Sequence, residues 1–156
     1  MRKILVAAMV LGMLAMAGAA WAADTATVNV NAVVTGTCQF LTDGSIDFAL
    51  DPSSGAGGPA VDVVGTVTQP TFWCTKNATW SITDDNGGNE IGTTHNMKHT
   101  TEPDLIPYSF TYATSGIGAG RTTPITMNIS STVLGPDYED KSAGDYSDTV
   151  TLTVNP

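Results

Sequence analysis

The segment Tyr146–Val154 reads YSDTVTLTV, and its alternation decides the fold. Tyr146, Asp148, Val150, Leu152 and Val154 fall on one face of a strand, with Ser147, Thr149, Thr151 and Thr153 on the other. Successive side chains leave a strand on opposite sides, so period two marks a strand with one face buried. Working outward, a second segment repeats the pattern near the front of the chain. There Ala26, Val28, Val30, Ala32 and Val34 alternate with Thr27, Asn29, Asn31 and Val33. No candidate partner strand follows Tyr146–Val154, whereas the leading segment precedes the first cysteine and is free to extend from the domain. One strand to give and one edge to fill is the expectation for a subunit that polymerises.

The first residues carry an export signal. Arg2 and Lys3 precede an apolar run from Ile4 to about Ala17, and Ala20-Trp21-Ala22 supplies small residues around a cleavage point. Residues 1–22 therefore read as a secretory signal peptide, with the mature chain starting at Ala23. A membrane anchor needs about 20 apolar residues and is the weaker reading. What remains is long enough for one domain with one core. It holds four basic residues (Lys76, Lys98, Arg121, Lys141) against all fifteen acidic ones, a formal net charge of −11. Scattered cations cannot neutralise a phosphate backbone, which argues against nucleic-acid binding. The acidic balance serves solubility.

Both cysteines, Cys38 and Cys74, follow the signal, so a disulfide between them is the expected state in an oxidising compartment. In the chain-entropy description it would contribute about 3.8 kcal/mol. A reactive thiol or a metal ligand are the alternatives, and neither a base nor a second ligand pair lies nearby in the sequence.

After the signal no segment sustains helical periodicity. Short β-branched and aromatic runs are broken by Gly, Pro, Asn and Asp, with candidate strands at 25–34, 36–41, 45–49, 60–68, 71–75, 78–83, 105–113, 122–132 and 145–154. That spacing predicts an all-β sandwich. Phe48, Phe72, Trp73, Trp80, Phe110 and Val133 are the expected core, with the two cysteines. Asp51–Pro59 and the acidic stretch Gly135–Gly144 read as exposed loops. Asp84–Glu90 lacks the calcium-loop spacing, and its Asn86-Gly87 pair predicts a turn.

Chemistry is hard to find. His95 and His99 are four apart, but Asn96 stands where a zinc-protease helix carries Glu, and the surroundings read as an exposed loop. No serine sits in a G-x-S-x-G context, and the paired carboxylates Asp84/Asp85 and Glu139/Asp140 fall in turns. No enzyme, cofactor or metal site is expected.

Several stretches together carry a family likeness. VTGTCQF at 34–40, IDFALDPSSG at 46–55, FWCTKNATWSI at 72–82, MKHTTEPDLIPYSFTY at 97–112 and GDYSDTVTLTVNP at 144–156 occur in the expected order. The chain resembles the spore coat protein U domain family, the subunit family of archaic chaperone–usher pili. The resemblance implies an immunoglobulin-like sandwich over 36–156 that lacks its last strand, preceded by a donor-strand extension over 23–35. It implies three partners: a periplasmic pilus chaperone that first lends the missing strand, an outer-membrane usher, and further subunits of the same kind. Ala26, Val28, Val30, Ala32 and Val34 would be the donor positions, and Tyr146, Val150, Leu152 and Val154 one edge of the receiving groove. The product would be a surface fibre serving adhesion or biofilm formation. Two other readings remain: a coat or matrix protein of the same fold that forms no pilus, and a carbohydrate-binding module using Trp80 or Tyr112 as a stacking platform.

Overall fold

The computed structural model describes residues 23–156, so the expected signal peptide at 1–22 lies outside the described residues. Residues 23–33 and the stretch Val34–Pro156 belong to separate units. Residues 23–33 carry neither strand nor helix, and Val28, Val30 and Val33 are exposed. The strand expected over 25–34 is therefore not formed in the single chain. An extended segment becomes a strand only when a neighbour takes up its amides and carbonyls, and alternation alone supplies no neighbour.

Val34–Pro156 is all-β with one helical turn, as expected. Its antiparallel pairings run as a relay. On one flank, β1 (Cys38–Thr42) pairs with β5 (Thr71–Cys74), and β2 (Ser45–Asp47) pairs with β4 (Thr66–Thr68). On the other flank of the same stretch, β3 (Val63–Val64) pairs with β11 (Thr132–Val133), and β5 with β10 (Ile125–Thr126). Residues 125–133 next meet 109–111, through a Ser109 amide donating to the Thr132 carbonyl at 2.9 Å and a bridge between Thr111 and Ser130. Just upstream, β8 (Leu105–Tyr108) pairs with β7 (His95–His99), and β7 with β12 (Tyr146–Ser147). Finally β6 (Thr79–Asp84) lies between β9 (Ser115–Ile117) and β13 (Leu152–Asn155). The relay begins at 38–47 and ends at 146–155. Among the described residues, neither end has a ladder partner on its outer side.

Side-chain alternation builds the interior. In β5, Phe72 and Cys74 point inward and are fully buried, while Trp73 points outward and lies under the Arg121 guanidinium, 5.6 Å from its ring centroid. Trp73 is thus not core as expected, because register outranks hydrophobicity within a four-residue strand. Phe72 meets Trp80 edge to face, with centroids 5.0 Å apart, in a cluster completed by Ile82, Met127 and Ile129. A second cluster gathers Ala60, Ile106, Tyr108, Val133 and Tyr138, and Phe110 packs against both.

Two expected loops proved structured. The stretch from Gly135 opens with α1 (Gly135–Tyr138), and Tyr138 is buried with its hydroxyl donating to the Val61 carbonyl at 2.7 Å. Gly135 allows that docking, since a Cβ there would overlap the Ala60 carbonyl. His95 and His99, expected in an exposed loop, are buried members of β7. Imidazole bodies can occupy the inward positions of a strand when their nitrogens find partners.

Candidate functional site

Between the two open ends of the relay runs a groove of about 630 Å³. One rim is Phe40–Phe48, carried by β1 and β2; the other is Tyr146–Leu152. Val67, Met97, Tyr108, Phe110 and Ile129 form its floor. Most of the apolar side chains that line it are only partly buried, packing against a core cluster on one side with the groove on the other, while Tyr108 and Ile129 belong to the buried clusters themselves. The lining ends at Leu152, in β13, the strand that β1 approaches.

The second rim has its main chain turned outward for pairing. Thr149 and Thr151 direct their carbonyls away from the groove, accepting from the Gly88 and Asp85 amides at 3.1 and 3.2 Å. The Thr151 amide donates to Asp85 Oδ1 at 2.8 Å. In a strand the next residues face the opposite way, so the amides and carbonyls of Asp148 and Val150 point into the groove. Among the described residues these four groups have no hydrogen-bond partner. The side chains of Tyr146, Asp148, Val150, Leu152 and Val154 are all half-buried, and their neighbours 147, 149, 151 and 153 are exposed. The alternation read from the sequence is present at all nine positions.

The first rim is anchored from behind. Cys38 and Cys74 are direct partners in the β1–β5 ladder and form the expected disulfide. A register shift between Phe40 and Thr42 is closed by the Thr42 hydroxyl, which accepts from the Thr71 amide at 2.9 Å. At the bend into β2, Gly44 passes so close to Pro70 that a Cβ would lie 2.6 Å from its Cδ. Strands were expected at 36–41 and 45–49, but nothing in the sequence marked Phe40, Ile46 and Phe48 as facing a groove, since their ladder partners are remote.

Polar groups occupy the inner wall as well. Asp148 Oδ2 accepts from the Tyr108 hydroxyl at 2.7 Å, and Oδ1 accepts from the Asn89 amide and side chain at 3.2 and 3.0 Å. Asp84 accepts from the Tyr112 hydroxyl at 2.6 Å, the Asn86 amide at 2.8 Å and His95 Nε2 at 3.2 Å. Burial pushes both tyrosine hydroxyls above their ordinary value, and the adjacent carboxylates push them further, so each stays a donor. For Asp84, burial works upward, yet the hydrogen bonds from Tyr112, Asn86 and His95 outweigh it and hold the carboxyl below its usual value. Asn86 and Gly87 sit at φ 58° and 86°, forming the expected turn, though the strands on either side of it do not pair with each other.

Trp80, one candidate sugar platform, is buried with Gly116 packed against its ring. Tyr112, the other, is tied to Asp84 and stacked edge-on against Phe110. Among the described residues no cluster of three or more His, Cys, Asp or Glu side chains is disposed to hold a metal ion. Nor is any described helix long and apolar enough to cross a membrane.

The sequence model of the spore coat protein U domain matches residues 24–153. The chain belongs to that family. Among solved structures it is similar to a chain in the CsuC–CsuE chaperone–tip adhesion subunit pre-assembly complex from archaic chaperone–usher Csu pili of Acinetobacter baumannii. That likeness has a TM-score of 0.46 and 20% identity, over 78% of this chain and 40% of that one. No curated protein matches.

Proposed function

We propose that this chain is a structural, non-catalytic subunit of a secreted surface fibre of the archaic chaperone–usher type, polymerising by donor-strand exchange. The observation that carries the reading is the groove between two unpaired strand edges, lined by half-buried apolar side chains. Open edges of this kind invite a further strand. An extended segment lying between Phe40–Phe48 and Tyr146–Leu152 would pair with main chain on both sides and cover the exposed core.

Residues 26–34 of a second copy suit the task. They alternate, they have no strand partner among the described residues, and they precede the first strand of the domain. Burying Val28, Val30 and Val34 would contribute about 1.5–3 kcal/mol each, in addition to main-chain pairing. Because donor and acceptor are different surfaces, the contact is head to tail and extends into a fibre. An unfilled groove would aggregate, which gives a periplasmic chaperone the task of occupying it until an outer-membrane usher adds the next subunit. Adhesion or biofilm formation is the role such a fibre would serve.

The test is gel mobility, without boiling, of residues 23–156 purified from periplasm beside a copy lacking 23–34. A heat-sensitive ladder from the longer chain alone supports donor-strand polymerisation. Equally stable monomers from both would replace it with a coat or matrix protein that forms no pilus.

A further inference from the structure

Along the second rim of the groove one inward-facing side chain, Asp148, is charged, and it stands among Tyr146, Val150 and Leu152. Along the second rim the inward side chains are Tyr146, Asp148, Val150, Leu152 and Val154. The Asp148 carboxylate is fastened to Tyr108 and Asn89 and cannot swing away without breaking those bonds. Any inserted strand must place some side chain directly opposite it, with Cβ atoms about 4.5–5.5 Å apart. A bulky apolar side chain there would strip water from the carboxylate without offering a hydrogen bond.

On the donor–acceptor reading above, we infer that Asp148 sets the register: the incoming strand runs antiparallel to Tyr146–Val154, with Ala32 opposite Asp148. The five donor positions then match all five rim positions. Val34 meets Tyr146, Val30 meets Val150, Val28 meets Leu152, and Ala26 meets Val154 in β13, the strand that β1 approaches. The two alanines thus fall at the charged notch and at Val154, and the three valines fall on apolar partners.

Other alignments satisfy fewer of these constraints. An antiparallel slip of two residues in either direction brings Val30 or Val34 onto the carboxylate. A slip of six brings Ala26 there but sets Asp24 against Val150. A parallel strand using all five pairs lays Val28 on Asp148. The parallel alternative with Ala26 at Asp148 leaves Val34 outside the groove.

Cysteine pairs on the solvent side of the assembled full chain distinguish these arrangements. The carbonyls of Thr149 and Thr151 face away from the groove, so in the inferred register Asn31 and Thr149 form a non-hydrogen-bonded pair with Cα atoms about 4.5 Å apart. That separation lies within disulfide range. Oxidised fibres of Asn31→Cys/Thr149→Cys are expected to give a ladder that survives boiling and collapses with reductant. Asn29→Cys/Thr149→Cys and Thr27→Cys/Thr149→Cys are expected to give none. A link from either of the latter pairs overturns the register while leaving polymerisation intact, and a chain that forms no ladder of any kind overturns both readings. As a second measurement, Ala32→Leu is expected to slow ladder formation about tenfold or more, the cost of stripping water from a carboxylate. Asp148→Ala in the same chain is expected to restore it. Assembly of Ala32→Leu at the normal rate would remove Asp148 from its assigned role.

Discussion

Tyr146 stands directly opposite His99 in the β12–β7 pairing, and the two rings meet edge to face at 4.8 Å. The imidazole is held on every side. Its Nδ1 accepts from the Thr101 and Glu102 amides at 3.1 and 2.9 Å, which places the proton on Nε2, donating to the Ala143 carbonyl at 3.2 Å. One side chain therefore closes the turn after β7 and fixes the chain that leads into the groove's second rim. His99→Ala orphans two amides and removes the face against which Tyr146 packs. We expect a loss of about 1–3 kcal/mol, read as a lower urea midpoint with an unchanged slope. An unaltered midpoint would mean that water replaces the imidazole at no cost.

Alkaline stability follows from two tyrosines bonded to carboxylates, Tyr108 to Asp148 and Tyr112 to Asp84. The Tyr108 and Tyr112 hydroxyls are raised in the folded chain above their ordinary value near 10. A group raised by folding binds its proton more tightly in the native state. Its contribution is whole below the unfolded value and is lost as pH rises through the folded one. Melting temperature is therefore expected to fall as pH climbs above about 10. Tyr108→Phe/Tyr112→Phe should be less stable at neutral pH and flatter in that limb. An equally steep limb in the double variant would assign the loss to other groups.

Asp84 acts at the opposite end of the scale. Its carboxyl lies below the ordinary value in the folded state, so it stabilises above the unfolded value and ceases to do so as pH falls through the folded one. Asp84→Asn should lower stability at neutral pH and make the acid limb, below about pH 4, shallower. Thermal melts between pH 2 and 5 measure it. A parallel displacement of the whole curve would show that the Tyr112 and His95 bonds do not depend on the charge.

Much of this architecture was legible where side-chain period and local composition agree. Tyr146–Val154 has a strict period of two and no glycine or proline, and every inward position came out as read, although the strand expected over 145–154 forms as two pieces, β12 and β13. The cysteine pair was legible because the signal set the redox compartment. β7 was not, since HNMKH offers histidines where the pattern requires apolar residues, and their burial depends on partners as distant as Asp84 and Ala143. Tyr138 was hidden in an acidic stretch, although a lone aromatic in a polar run is a sign that something there is docked. Trp73 shows the reverse failure: the most hydrophobic surface in its segment lies on the outward side because Phe72 and Cys74 hold the register. The strands of the first rim were legible at 36–41 and 45–49, but their role as a groove edge was not, because a gap between two edges is a property of the whole ladder order.

The disulfide belongs to the first rim of the groove. Cys38 and Cys74 are separated by 36 residues in sequence and lie opposite each other at the start of β1. Replacing both by serine releases that loop in the unfolded chain and unpins the first rim. The expected cost is about 2–5 kcal/mol, seen as a lower denaturant midpoint that reductant lowers no further. Wild-type protein should converge on the same midpoint once reduced. A reductant-insensitive wild type would show that the rim is held by its hydrogen bonds alone.

On the proposed donor-strand reading Val30 is the central donor position, and in the alignment inferred above it meets Val150 at mid-groove. Aspartate there would carry an unpaired charge into an apolar wall, a burial far more costly than the methyl contacts it replaces. Nothing in Val34–Pro156 is altered by the change, so the receiving groove stays intact. Val30→Asp chains are therefore expected to accept a strand from a wild-type copy while failing to donate their own. Mixed with wild type, they should cap ladders and shorten them in proportion to their share. Alone, they should run as monomers on an unboiled gel. A normal ladder from Val30→Asp alone would show that residues 26–34 are not the strand that fills the groove.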